Sequence, residues 1–132
     1  MSTFKSFEEL ECWKKARVLR NFVKNIKINF PQHEQFNLTS QITRSSRSVG
    51  NNISEGFGRF NYQENIQFCR IARGSLNETL DHGIIAFDEG YITKEQLSEL
   101  KEIHDKTLII LNGYIGYLKK QKINAITNNT IT

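Results

Sequence analysis

The side chains that could perform catalysis or hold a metal are few and far apart in this chain. Cys12 and Cys69 form no CxxC pair and have no metal ligand at the usual spacing. We interpret both as small buried hydrophobic residues, as is usual for cysteines in a reducing cytosol. His104 stands on an apolar helical stripe with no ligand partner four residues away. That position favours a hydrogen-bonded core histidine over a metal ligand or a catalytic base.

Two further signatures are missing from the sequence. The Glu-x-x-His pair of di-iron helix bundles has no counterpart, because Glu78 is followed at that spacing by Asp81. Gly56 and Gly58 are followed by Asn61 in place of a third glycine, and we expect them to end a helix and not to cradle a phosphate. The sequence therefore predicts a protein that is not an enzyme and that uses no metal or cofactor.

The positive charge of the chain is concentrated in its first half. Residues 12–73 carry eleven Lys or Arg against three acids, a local net charge of +8, whereas residues 74–132 carry six against eight. Segregated charge of this kind favours an anionic partner, with nucleic acid ahead of an acidic protein or a membrane surface. The candidate contacts lie on or just after the first two predicted helices: Arg17, Arg20, Lys24, Lys27, Arg44, Arg47 and Arg59.

These cations have two interpretations. They could contact phosphates, with the counterion release that makes such binding salt-dependent, or they could be ordinary solubilising charge. Trp13 lies at the edge of the same face, where it could stack on a base or pack against another helix or protomer.

Arg73 is unusual because it falls on the apolar stripe of the third predicted helix, between Cys69 and Leu76. A buried guanidinium needs a partner. Glu55 and Glu78 are the nearest candidates by sequence, and a structural ion pair is favoured over ligand binding.

Helical periodicity positions all of these residues. The first helix is predicted from about Glu8 to about Asn29 and is ended by Phe30-Pro31, because proline disfavours helical geometry in the residue before it. Its core stripe is Cys12, Ala16, Leu19, Val23, Ile26 and Phe30. The second helix is capped by Asn37 and ends around Gly56–Gly58, where a glycine is expected in the left-handed conformation. Its core stripe is Leu38, Ile42, Ser45, Val49 and Ile53.

Two more helices complete the fold. The third is predicted from the capping pattern at Asn61 to Gly90, and its core face is Tyr62, Ile66, Cys69, Leu76, Leu80, Ile84 and Phe87. The fourth begins with the capping pattern Thr93–Gln96, and its stripe is Leu97, Leu100, His104, Thr107, Leu111, Leu118 and either Tyr114 or Ile115. Four helices joined by short loops predict an all-α fold, an antiparallel up-down-up-down four-helix bundle. We expect one domain over residues 1–123 and a disordered tail over residues 124–132.

Two helices carry more apolar surface than one core needs, which favours self-association over burial within one bundle. The surplus residues are Phe68, Ile71 and Ile85 on the third helix and Ile103, Ile110 and Tyr117 on the fourth. No run approaches the roughly 18 apolar residues of a membrane span, and the first seven residues lack the apolar core of a signal peptide. We therefore expect a cytoplasmic protein without a membrane partner.

Several motifs resemble one known family. The two most specific are Asn52–Arg59 (NISEGFGR) and Ile71–Leu76 (IARGSL), and the others, in the same order along the chain, are Trp13–Ala16 (WKKA), Phe30-Pro31, Leu38–Gln41 (LTSQ) and Gly90–Ile92 (GYI). Over about Phe7 to Lys120 the chain resembles the small four-helix-bundle family named for reading frames in the intervening sequences of bacterial 23S ribosomal RNA. Two positions depart from the pattern: Thr43-Arg44 replaces a common pair of basic residues, and Gly50 stands where proline or alanine is frequent.

The resemblance implies an antiparallel four-helix bundle assembled as a ring-like homopentamer. A related branch comprises the accessory proteins of diversity-generating retroelements, in which a basic pentamer is thought to engage RNA and a reverse transcriptase. We therefore expect a non-enzymatic homo-oligomer that binds structured RNA or DNA through its basic surface. The alternative is an oligomeric scaffold for a protein partner, such as a reverse transcriptase, without nucleic-acid binding.

Overall fold

Four long α-helices and three short 3₁₀ turns make up the described part of the chain. A computed structural model describes the backbone of residues 4–131 and the side chains of residues 4–128. The α-helices are α1 (Glu11–Ile26), α2 (Leu38–Phe57), α3 (Tyr62–Asp88) and α4 (Lys94–Ile131), and the 3₁₀ turns are Phe7–Glu9, Lys27–Asn29 and Gln32–Glu34. Residues 4–131 contain no β-strand, and the predicted all-α four-helix bundle is confirmed. Among these helices, none combines the length and the apolar composition that crossing a membrane requires.

Helix α1 begins later than predicted because the chain is extended at Leu10. A capping box between Ser6 and Glu9 closes the preceding 3₁₀ turn, and Leu10 then takes φ −71° and ψ 127° before the helix starts. Phe30 is extended, as expected for the residue before Pro31. The predicted core stripe is confirmed, with all of its members buried: Cys12, Ala16, Leu19, Val23, Ile26 and Phe30.

Helix α2 has the predicted core stripe but different chemistry at its ends. Asn37 precedes the helix without a side-chain capping bond, and the Glu34 carboxylate accepts a hydrogen bond from the Leu38 N–H at 3.4 Å instead. Gly58 is right-handed, with φ −72°, so the prediction of a left-handed glycine here is wrong. Among the described residues, the one with a positive φ is Gly90, just after α3. The stripe itself is buried throughout: Leu38, Ile42, Ser45, Val49 and Ile53.

Helix α3 buries part of the predicted face and, beside it, small residues through which its neighbours approach. Of the predicted face, Ile66, Cys69 and Leu76 are buried, Tyr62, Leu80 and Ile84 are half-buried, and Phe87 is exposed. The buried positions that were not predicted include Ala72, Ser75, Thr79, Gly83 and Ala86. Hydroxyl groups pair across the contact with α2: Thr79 Oγ1 is hydrogen-bonded to Ser45 Oγ at 2.9 Å, and Ser75 Oγ to Ser48 Oγ at 2.8 Å. Small paired hydroxyls let two helices come close without leaving polar groups unsatisfied.

Helix α4 has the predicted cap and stripe and continues past its predicted end. The Gln96 N–H donates to Thr93 Oγ1 at 3.1 Å, and the Thr93 N–H donates to Gln96 Oε1 at 2.8 Å. The stripe is buried at Leu97, Leu100, His104, Thr107, Leu111, Ile115 and Leu118. The backbone is helical through Ile131, where the sequence predicts a disordered tail from Asn124. The domain limit at residue 123 stays a prediction, and Thr132 lies outside the described residues.

Consecutive helices pack with opposite directions, as contacts at their two ends show. The pairs are Trp13–Gly50 and Lys27–Thr43 between α1 and α2, Gly56–Asn65 and Ser48–Ser75 between α2 and α3, and Asn65–Tyr114 and Asn77–His104 between α3 and α4.

Candidate nucleic-acid interface

A groove between α1 and α2 collects most of the predicted cations. The two helices come close at Gly50, where a Cβ atom would stand 3.5 Å from Trp13 Nε1 and 3.6 Å from Ala16 Cβ. Above this contact lie two adjoining hollows of about 260 Å³ and about 440 Å³. We call them together the basic groove, after the cations that line them: Arg17, Arg20, Lys24, Lys27 and Arg47.

The helical repeat aligns the four cations from the α1 side. Residues 17, 20, 24 and 27 are three or four apart, so their side chains share one side of the helix over a length of about 15 Å. The same repeat directs Leu19 and Val23 into the core, where both are buried. Arg47 reaches the groove from α2 and, with Arg20, lines both hollows. The groove is therefore one continuous surface.

The positive charge of the groove is not compensated. Neither hollow has an Asp or Glu in its lining, and within residues 4–128 none of the five cations forms an ion pair. The pKa of Lys27 is lowered from its ordinary 10.5, first by desolvation and then by repulsion from Arg47 and Lys24. Its ammonium donates a hydrogen bond to a neutral partner, Thr43 Oγ1, at 3.1 Å. A bound anion would relieve this repulsion.

The other two predicted contacts lie outside the groove. Arg44 is exposed on α2 but does not line either hollow. Arg59 lies beyond the C-terminal end of α2, where its Nη2 is 2.9 Å from Glu55 Oε1 and its guanidinium carbon is 5.2 Å from the centre of the Phe68 ring. The charge of Arg59 is therefore already paired. The structure brings together five of the seven predicted cations.

Trp13 closes one end of the groove. Its ring packs edge-on against Phe7 at 5.2 Å between centroids, and the Arg17 guanidinium lies 5.9 Å from the ring centre. Packing against a neighbouring element was one of its two predicted roles. The lining residues not predicted from the sequence include Phe7, Thr43 and Ser54. Thr43 has a signal in the sequence, since it stands four residues before Arg47 and therefore on the same side of α2.

The predicted ion pair of Arg73 is wrong. Arg73 Nη1 donates to Asn112 Oδ1 at 2.8 Å, which is a neutral partner on α4. The two acids predicted for it are engaged elsewhere: Glu55 with Arg59, and Glu78 with His82 Nε2 at 3.3 Å. Arg73 is half-buried at the edge of the α3–α4 contact, so it keeps part of its hydration and needs no carboxylate.

The side chains that could have performed catalysis or held a metal, Cys12, Cys69 and His104, are part of the core. His104 is buried, with Nδ1 2.9 Å from Asp105 Oδ1 and Nε2 2.8 Å from Asn77 Oδ1, which is the hydrogen-bonded core histidine expected from the sequence. Cys12 and Cys69 are buried free thiols, and burial raises the pKa of each to about 12. Within the described residues, no three His, Cys, Asp or Glu side chains gather as metal ligands would.

The surplus apolar residues divide into two groups. Ile71 and Ile85 on α3 are 53 % and 40 % exposed, and Tyr117 on α4 is 36 % exposed. The other three predicted interface residues, Phe68, Ile103 and Ile110, are half-buried, and the two isoleucines pack against the core of their own bundle. Of the six predicted interface residues, the exposed ones are therefore Ile71 and Ile85 on α3 and Tyr117 on α4, and α4 also exposes Ile109, Ile123 and Ile126.

Comparisons with known proteins agree with this architecture. Residues 8–113 match the family model described as 23S rRNA-intervening sequence protein. A solved structure from Bacteroides thetaiotaomicron VPI-5482, described as a protein of unknown function from the S23 ribosomal protein family, is 25 % identical, with a TM-score of 0.71 over 79 % of this chain and 97 % of that chain. No match is found among curated proteins. Because the family match spans most of the sequence and the bundle agrees with the solved structure, this chain belongs to the 23S rRNA-intervening sequence protein family.

Proposed function

We propose that this protein is a non-enzymatic cytoplasmic homo-oligomer that binds structured RNA, or another nucleic acid, through the basic groove. One observation carries the proposal: five cations line a continuous groove that contains no carboxylate. Solubilising charge is usually mixed in sign over a surface, whereas these cations are collected at one place and held against their mutual repulsion.

The chemistry of the groove fits a phosphate backbone. Arg20 and Arg47 can each offer a phosphate two parallel N–H donors, and Lys24 and Lys27 supply point charges along the same line. Every phosphate neutralised in this way releases counterions, which gives favourable free energy without any base contact. Phosphate contacts of this kind position a nucleic acid without reading its sequence.

Self-assembly would multiply these contacts. The exposed pair Ile71 and Ile85 lies on α3, and the basic groove lies between α1 and α2, so association through α3 leaves the groove cations on a separate surface. A ring of protomers, a pentamer by family resemblance, would then present several grooves to one nucleic acid. Binding to linked sites raises avidity without new kinds of contact.

The rival function is an oligomeric scaffold for a protein partner, in which the arginines make structural ion pairs. Arg59 fits that role through its contact with Glu55, but the five groove cations have no such partner in the described part of the chain. The family name refers to an intervening sequence of 23S rRNA, which makes a structured RNA the first probe.

The function is tested by measuring binding of a labelled hairpin RNA and a duplex DNA over a salt series, with fluorescence anisotropy as the readout. Several phosphate contacts require the logarithm of the association constant to fall against the logarithm of salt concentration with a slope of about −3 or steeper. The absence of binding to both probes at low salt would exclude the proposed function and leave the scaffold.

A further inference from the structure

The basic groove ends in a pocket beside Trp13 that offers contacts a phosphate cannot use. The pocket has a volume of about 260 Å³ and lies between Phe7 and Trp13 on one side and Asn51 and Ser54 of α2 on the other. A chain of phosphates needs cations and hydrogen-bond donors, but it makes no use of aromatic rings. The rings of Phe7 and Trp13, which also pack against the core, can contact a different part of the ligand.

The indole of Trp13 presents an unused donor to this pocket. Its Nε1–H makes no hydrogen bond within the described residues. The atom is not fully buried, so solvent reaches it. The nitrogen faces Gly50, where a Cβ atom would stand only 3.5 Å away. A residue larger than glycine at position 50 would narrow the pocket at this point.

Two further groups supply stacking and edge recognition. The Arg17 guanidinium, 5.9 Å from the centre of the Trp13 ring, adds a second flat surface of the kind on which bases stack. The Asn51 side chain is exposed and makes no hydrogen bond within residues 4–128, so both its amide donors and its carbonyl acceptor are available. An amide beside an aromatic ring can pair with the edge of a stacked base.

The pocket is continuous with the phosphate-binding part of the groove, because Arg20 and Arg47 line both. A phosphate held by these two arginines would place its own nucleotide at the mouth of the pocket. A base in a duplex is stacked and paired, so it cannot enter a pocket in the protein without leaving the helix. Only an unpaired nucleotide supplies a free base next to a phosphate at little cost.

We propose that the pocket beside Trp13 takes one unpaired nucleobase while the basic groove holds the adjoining phosphates, so that the preferred ligand is RNA with a single-stranded loop, bulge or end. This inference rests on the proposed function, since it concerns the same groove. It adds a class of ligand, unpaired over paired nucleic acid, and a residue that distinguishes the two.

Trp13 is the only tryptophan of the chain, so its fluorescence reports on the pocket directly. The probes are a hairpin RNA with a single-stranded loop, the same hairpin with abasic sites throughout the loop, and a fully paired RNA duplex of the same length. The intact loop should quench Trp13 and bind about tenfold more tightly than the abasic hairpin, which keeps the phosphates but not the bases. The abasic hairpin and the duplex should bind with little quenching.

A pair of substitutions checks the assignment. Trp13→Leu should remove the preference for the intact loop over the abasic hairpin, whereas Trp13→Phe should keep part of the preference because it retains a ring. If the leucine variant does not fold, the quenching of the wild-type protein decides alone.

The outcomes separate the two claims. Equal affinities for all three RNAs without quenching would overturn the nucleobase pocket and leave groove binding intact. A second protomer that covers Trp13 in the oligomer would give the same result and would overturn the pocket equally. No binding to any of the three at low salt would overturn the proposed function, and the pocket with it.

Discussion

The ammonium of Lys27 donates a hydrogen bond to Thr43 Oγ1 at 3.1 Å and thereby ties the C-terminal end of α1 to α2. The hydroxyl group is a neutral partner for a cation that Arg47 and Lys24 repel. The folded protein therefore holds positive charges together without a carboxylate between them. Such an arrangement costs stability in the free protein and gains it when an anion binds.

Replacing Arg47 by glutamine should stabilise the free protein and weaken its binding of RNA. Removing one of the like charges around Lys27 should raise the free energy of unfolding by about 0.3 kcal/mol, as measured by urea denaturation. A loss of stability would instead indicate that Arg47 holds the fold through a structural contact, as the scaffold function expects.

The gain from Arg47→Gln should depend on pH. Desolvation first, and then repulsion from Arg47 and Lys24, lower the pKa of Lys27 below 10.5 in the folded state. The part of this penalty that comes from Arg47 is fully present at pH values below the folded pKa and is relieved as Lys27 loses its proton. The stability difference between the variant and the wild type should therefore shrink as the pH rises towards 10.5. A difference that stays constant with pH would mean that Arg47 does not affect the pKa of Lys27.

Replacing either of two glycines of α3 by alanine should change the free energy of unfolding, but in opposite directions at the two positions. A Cβ atom at Gly83 would overlap Leu100 Cδ2, and Leu100 is fully buried, so Gly83→Ala should lower the free energy of unfolding by about 1–3 kcal/mol. Gly74 has no atom within 4 Å of its would-be Cβ and lies in mid-helix, so Gly74→Ala should raise stability by about 0.5–1 kcal/mol. Thermal unfolding of the two variants measures both. Equal effects would show that α3 and α4 are not in close contact at Gly83.

The cysteines should be chemically silent in the folded protein. Burial raises the pKa of Cys12 and Cys69 to about 12, so the reactive thiolate is scarce at neutral pH, and neither thiol is open to solvent. A chromogenic disulfide reagent should detect no thiol in the native protein and both in denaturant. Rapid labelling of either cysteine under native conditions would indicate that the core around it opens.

Self-association should depend on the exposed isoleucines of α3. Ile71→Glu together with Ile85→Glu would place charge in an apolar contact, which should reduce the mass measured by light scattering on a sizing column. The control is Ile109→Glu on α4, at a position that is 72 % exposed and outside the predicted interface. An unchanged mass for the α3 variant, or a wild-type protein that is a monomer at every concentration, would contradict the proposed oligomer.

The sequence predicts a helix well where one apolar stripe faces one core, as in α2 and α4. On α3 it predicts the helix and three buried members of its face but misses the small buried residues, such as Ala72, Gly83 and Ala86, because they contribute little to a hydrophobic pattern. Leu80 and Phe87 are more apolar, yet they lie at the edge of the core or outside it. Burial on α3 follows how closely the neighbouring helices approach, and the residues of α3 alone do not contain that information.

The candidate site, too, could be predicted from the sequence only in part. The cations of α1 were predictable because the helical repeat places them on one face, beside the stripe of buried residues such as Leu19. The pairing of Arg59 also has a local signal, since Glu55 stands four residues before it, one helical turn away. The partner of Arg73 has none, because Asn112 is 39 residues distant in sequence.

The most direct test of the basic groove is the affinity of a double charge reversal for a hairpin RNA. Arg20→Glu with Arg47→Glu removes the two cations shared by both hollows, and Lys94→Glu with Lys101→Glu makes the same change in net charge at exposed positions of α4. We predict that the groove variant loses binding by at least about a hundredfold at low salt and has a shallower salt slope by about 2, whereas the α4 variant binds nearly as the wild type does. Equal losses in the two variants, or none in the groove variant, would contradict the assignment of nucleic-acid binding to this groove.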